Sequence, residues 1–164
     1  MNEHQHDETR YRVAAETLES LALMFLVPED EAANPLPCCA RRVAVIFTGP
    51  FDGALILSAS DGVLPELAAN MLGLENCCAP TSEQQEDALK ELANVICGNL
   101  LPVLAGEEAV FDVHAAELLV GGTVPATLGD RPPLAAARLH LDGGWADLAL
   151  FAPEAVAAGA ETAS

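Results

Sequence analysis

Residues 81–105 carry the pattern of one long amphipathic helix, and this stretch restricts the fold more than any other. Leu89, Leu92, Ile96, Leu100 and Val103 recur at helical spacing, so they predict a stripe that must be buried against other elements. Thr81 and Ser82 are suited to capping the first free N–H groups. Glu83, Gln84, Gln85 and Glu86 supply capping-box partners and acid for the first turn. At about 100° per residue, Asp87, Glu91, Asn94 and Gly98 cluster roughly opposite the stripe. A solvated face usually carries lysine, glutamate and arginine. Asn competes for backbone hydrogen bonds, and Gly costs about 1 kcal/mol against Ala inside a helix. Either this is a solvated face with incidental Asn and Gly, or Glu91 and Asn94, neighbours at i and i+3, act together on something that docks there.

The rest of the chain alternates helical and strand patterns. Residues 1–8 read as a disordered lead, residues 9–153 as a single domain, and residues 154–164 as a flexible or short helical tail. From residue 8 to residue 27, Val13, Thr17, Leu18, Leu21, Met24 and Phe25 give a helix ended by Pro28, and residues 29–40 form a loop. Residues 43–48 and 54–60 are apolar, β-rich runs joined by Gly49-Pro50-Phe51-Asp52-Gly53, which predicts a hairpin. A helix over 64–74, closing near Gly73, precedes the long one, whose last turn Pro102 should kink or terminate. Residues 109–120 predict one strand, with Phe111, Val113 and Ala115 alternating. After a Pro- and Gly-rich loop over 121–133, a second hairpin follows over 134–141 and 146–151, turning at Asp142-Gly143-Gly144. Leu55 and Leu57 align weakly with Leu148 and Leu150 when the hairpins are offset, a match that fits a duplicated helix–hairpin unit. The class from the residues alone is α+β.

Composition narrows the function. The 164 residues suit one domain, and no uninterrupted apolar run reaches the ~18 residues of a membrane span. The polar, acidic N-terminus is unlike a signal peptide. A formal charge of −18 argues against nucleic acid and anionic membranes, leaving protein partners and small cations. Two adjacent cysteine pairs plus Cys97 give neither metal spacing nor a disulfide ladder, which points to free thiols and a cytoplasmic setting.

Other chemical candidates are thin. His4 and His6 sit in the polar lead, while His114 and His140 fall on predicted strands and read as packed or edge residues rather than ligands. Asp112 and Glu117 read as strand-edge acids, and Asp87 either orients Lys90 or Glu91 or helps the helix begin. No phosphate loop, nucleophile elbow or zinc-protease motif is present.

Asp87-x3-Glu91-x2-Asn94, with Gly98 one turn later, resembles the signature of the CheC/CheX/FliY phosphatases of bacterial chemotaxis. The resemblance takes in the first hairpin, the segment Leu64-Pro65-Glu66-Leu67-Ala68-Ala69-Asn70-Met71-Leu72-Gly73 and the C-terminal strands, and so most of residues 12–153. It implies a twisted, mostly antiparallel sheet with two long helices packed side by side. Where the family often carries a second Glu-x2-Asn motif, this chain has Glu19-x2-Ala22, which places it nearer the single-site CheX type. The family tends to have a proline after the strand that follows the helix; Pro125 falls later than that pattern. By resemblance, Asn94 orients the attacking water and Glu91 pairs with the active-site lysine of a phosphorylated CheY-like receiver, with Asp87 and Gly98 in support. This chain then binds no cofactor, because Mg²⁺ arrives with the receiver. The implied single-site type also leads one to expect a homodimer formed through sheet edges. The competing readings are a non-catalytic signalling module that binds a receiver or another protein, and an unrelated domain in which the motif is chance.

Overall fold

The computed structural model describes residues 40–73, 79–120, 133–141 and 144–152. The predicted lead, the first helix with Glu19 and Ala22, the loop holding Pro125, and the tail all lie outside the described residues. Six strands form one sheet: β1 (Ala40–Thr48), β2 (Gly53–Ser60), β3 (Asp112–Val113), β4 (Glu117–Leu119), β5 (Ala135–Leu141) and β6 (Gly144–Phe151). Their order is β3-β1-β2-β6-β5, with β4 also on β1, and every pairing is antiparallel. Among the described residues two helices, α1 (Leu64–Leu72) and α2 (Ser82–Ala105), pack on one face, giving the α+β arrangement expected.

Strand alternation decides what is buried. Val43, Val45 and Phe47 on β1, Leu55 and Leu57 on β2, and Leu148 and Leu150 on β6 meet the helices in one core. A smaller cluster of Ala44, Ala54 and Ile56 occupies the other face. The central pair, β2 with β6, places Leu55 opposite Leu150 and Leu57 opposite Leu148. This crosswise pairing is the register expected if the two hairpins are related by a two-fold axis. Phe47, Phe51 and Phe111 stack edge-to-face at centroid separations of 5.0–5.9 Å, tying the first hairpin turn to the segment entering β3. Gly53 must lack a side chain, since a Cβ there would strike Phe151 O and the Phe47 ring.

Two expectations are corrected. The single strand predicted over 109–120 is two, β3 and β4. Phe47 pairs with Val113 and Ala44 with Glu117, so two residues of β1 face three of the partner strand, which is a one-residue bulge. His114 N–H still bonds Ile46 O at 2.8 Å. The extra residue reverses the alternation, so Ala116 and Leu118 turn to the core while Ala115 is exposed. Val103, placed on the buried stripe by spacing, is 50% exposed, and Leu101 and Leu104 are buried instead. The buried residues follow four-residue ridges, Leu89-Ala93-Cys97-Leu101 and Leu92-Ile96-Leu100-Leu104. Each four-residue step advances about 40°, so the stripe winds away from Val103.

Candidate active site on the long helix

The start of α2 is fixed by its own sequence and by one arginine. Thr81 Oγ1 accepts from Gln84 N–H at 3.1 Å, and Gln84 Oε1 accepts from Thr81 N–H at 2.9 Å, closing the predicted capping box. Arg41 on β1 donates to Ser82 O at 3.1 Å and stands 3.8 Å from Asp61 and 4.0 Å from Glu86. This ties the first turn of the helix to the first hairpin. α1 closes in front of it at Gly73, whose φ of 67° is the left-handed cap that glycine adopts without strain.

On the outer face of α2, Asp87, Glu91 and Gly98 are exposed and Asn94 is half-buried. The side chains therefore share a face, but Asn94 lies deeper than a fully solvated residue. Its Oδ1 is buried and has no hydrogen-bond partner. An unpaired buried acceptor costs about 1–3 kcal/mol, and Asn is already a weaker helix former than Ala. No bond to that oxygen resists rotation of the amide about its terminal torsion, which would bring Oδ1 outward. The ion pairs above belong to Arg41, and Glu91 takes part in neither of them, so among the described residues its carboxylate is left for an external cation. Around Gly98 a Cβ would meet nothing within 4 Å, so close approach from outside is open. Chemically, the face offers two carboxylates, an amide able to donate and accept hydrogen bonds, and bare backbone.

The other candidates do not join it. Asp112, His114 and Glu117 are exposed on or beside the bulged strands. His140 lies on β5, on the far edge of the sheet, and His4 and His6 fall outside the described residues. Cys97 is buried in the core, where desolvation pushes its thiol up from 9.0 to about 12, so it is neither a nucleophile nor a ready ligand at neutral pH. No group of three or more His, Cys, Asp or Glu side chains able to hold a metal occurs among the described residues. α2 is long and apolar enough to cross a membrane, yet half of it is packed against the sheet and α1, as a core helix requires. Pro102, read from sequence only as a helix breaker, and Val103, read as part of the buried stripe, are both exposed near Gly98. The signal for Pro102 was available, because it falls about 40° from Gly98 on the helical wheel.

Comparison with known proteins agrees with this architecture. The family model for the chemotaxis phosphatase CheX matches residues 42–128. A CheX chemotaxis protein from Desulfovibrio desulfuricans shares 14% identity at a TM-score of 0.67, over 91% of this chain and 99% of its own. CheX from Vibrio vulnificus shares 17% at 0.64, over 93% and 99%. CheX from Borrelia burgdorferi, solved with CheY, BeF₃ and Mg²⁺, shares 18% at 0.59, over 90% and 97%. No curated protein matches the chain. These likenesses establish the fold, and the matched span holds α2 with Glu91, Asn94 and Gly98: the chain belongs to the family of the chemotaxis phosphatase CheX.

Proposed function

We propose that the protein is a phosphatase for a phosphorylated CheY-like receiver, and that α2 docks over the receiver's aspartyl phosphate. The observation that carries this reading is the pairing of an unpartnered Asn94 amide with an unengaged Glu91 carboxylate on one helix face. A fold that needed only stability would place Ala at 94. Support also comes from the Borrelia burgdorferi relative, whose structure was solved with CheY.

In this mechanism the receiver supplies the phosphoryl group and its Mg²⁺, both as substrate. Asn94 holds a water by accepting with Oδ1 and donating with Nδ2, in line with the P–O bond to aspartate. Attack forms a new P–O bond, the aspartyl oxygen leaves with the electron pair as free carboxylate, and both protons of the water stay with the inorganic phosphate formed. Asn does not titrate usefully, so its part is positioning rather than general base catalysis. Glu91 pairs with the receiver's active-site lysine and fixes the docked orientation. Asp87, one turn before Glu91, adds negative charge for the same cation. Phosphoryl transfer depends mainly on placement and charge stabilisation, so two residues on a rigid helix can suffice. The chain itself holds no cofactor in this scheme, and the setting is the cytoplasm, where receivers are found.

The direct test is phosphate release from a phosphorylated receiver with and without the protein. Binding without any acceleration of release would leave a receiver-binding module instead. A Gly98→Ala variant refines the docking geometry. It should melt slightly higher, by the ~1 kcal/mol Ala gains over Gly in a helix, while its KM for the receiver rises. An unchanged KM would show that the partner does not approach the backbone at Gly98.

We also propose a homodimer. Among the described residues no strand pairs with the outer edge of β5, which terminates the sheet. Strand addition across a two-fold axis would cover it. Sedimentation should report twice the monomer mass at tens of micromolar, and a monomer throughout would remove the proposal. The charge of −18 opposes association, so raising salt should favour the dimer.

A further inference from the structure

α2 has a gap in its hydrogen-bond ladder on the face that carries Glu91. Pro102 lies inside the helix. Proline has no N–H, so the carbonyl of Gly98 loses its i+4 donor. The helix continues past the gap, since Gly106 N–H reaches Pro102 O at 2.9 Å. The adjacent side-chain donor does not fill it, because Asn99 Nδ2 donates to Val95 O at 2.8 Å. Gly98 and Pro102 are both exposed, and the space beside Gly98 is open. A helix carbonyl points toward the C-terminal end, where the peptide dipoles sum to negative charge. Asp87 and Glu91 add carboxylates along the same face. The acceptor that Pro102 leaves without its i+4 donor therefore sits in a field that favours a cation.

Resting on the receiver-phosphatase reading, we propose that the Gly98 carbonyl is a second anchor for the docked receiver, accepting a hydrogen bond from one of its lysine or arginine side chains. Seven residues at 1.5 Å rise place this acceptor about 10 Å along the helix from Glu91. The receiver's second cation must then stand about that far from the lysine that Glu91 holds. Pro102 acts through Gly98: it keeps the acceptor free, and this explains a proline in a helix interior where it would otherwise only destabilise.

Pro102→Ala and Pro102→Leu both restore the N–H, and the leucine also keeps the apolar surface. Each is measured for melting temperature, for KM and kcat in phosphate release, and for Kd toward a receiver loaded with Mg²⁺ and BeF₃, which stands in for the phosphoryl group. Both variants should melt no lower than the parent. Both should bind the loaded receiver about tenfold more weakly or worse, the scale of a lost charge-assisted hydrogen bond, with the loss falling on KM rather than kcat. Unchanged Kd in both variants overturns the anchor. So does a loss in Pro102→Ala that Pro102→Leu recovers, which would mean apolar contact alone. A fall in kcat at constant Kd also overturns it, since that would mean the helix had shifted Asn94. The Asn94→Ala protein, run in parallel, separates the two ideas: it should lose turnover and keep Kd. If the parent binds the receiver without hydrolysis, the catalytic reading fails and the Kd values alone decide the anchor.

Discussion

Asn94→Ala is expected to fold like the parent and to dephosphorylate the receiver about 10²-fold or more slowly, the scale seen when a group that positions the attack is removed. Folding should not suffer, because the substitution removes a buried oxygen that has no partner and installs a better helix former. The melting temperature should therefore stay level or rise while kcat collapses. That opposition is the useful feature, since a structural asparagine would lose both together. Glu91→Ala should also be impaired, but mostly at subsaturating receiver, because its carboxylate is exposed and its partner lies across the interface. A Mg²⁺ chelator should abolish release with the parent and both variants if, as proposed, the metal arrives with the receiver. Full activity from a folded Asn94→Ala protein would show that Asn94 does not orient the water, and the receiver-binding module would become the better reading.

Much of the fold around α2 is legible in the sequence, for local reasons. A capping box is written in four residues, and Thr81 with Gln84 forms it as spacing predicts. Gly73 ends α1 because a left-handed cap suits glycine. Leu55 and Leu57, which match Leu148 and Leu150 in the offset hairpins, face those same residues across β2 and β6. What spacing could not supply was tertiary. The bulge between β3 and β4 depends on how the strand lies along β1, and no residue in 114–116 announces it. Val103 has the right spacing for the stripe, but packing along four-residue ridges turned the buried face toward Leu101 and Leu104. Nor does spacing register depth. The wheel put Asn94 on the outer face, yet only the packed helix shows its oxygen inside and unpaired. The family resemblance supplied roles for Glu91 and Asn94 that neither the wheel nor the fold contains.

Leu92→Asp is expected to unfold the domain or nearly so. Leu92 is 1% exposed, in the centre of the stripe that α2 presses onto the sheet. Truncating such a leucine costs about 2–5 kcal/mol through lost transfer energy and the cavity left behind. A carboxylate adds the penalty of burying a charge with no partner, or of protonating it at neutral pH. Together these rival the 5–15 kcal/mol, roughly, by which a domain of this kind is stable. Lys90→Ala is the control, because Lys90 lies two residues away on a half-buried flank and its loss should shift melting little. The contrast also tests the site from behind. Glu91 and Leu92 are consecutive and about 100° apart on the helix, and the orientation that buries Leu92 is the one that leaves Glu91 exposed. Circular dichroism and thermal melting of the two variants decide it. If Leu92→Asp folds and melts like the parent, α2 is rotated from the orientation described, and the outward display of Glu91 fails with it.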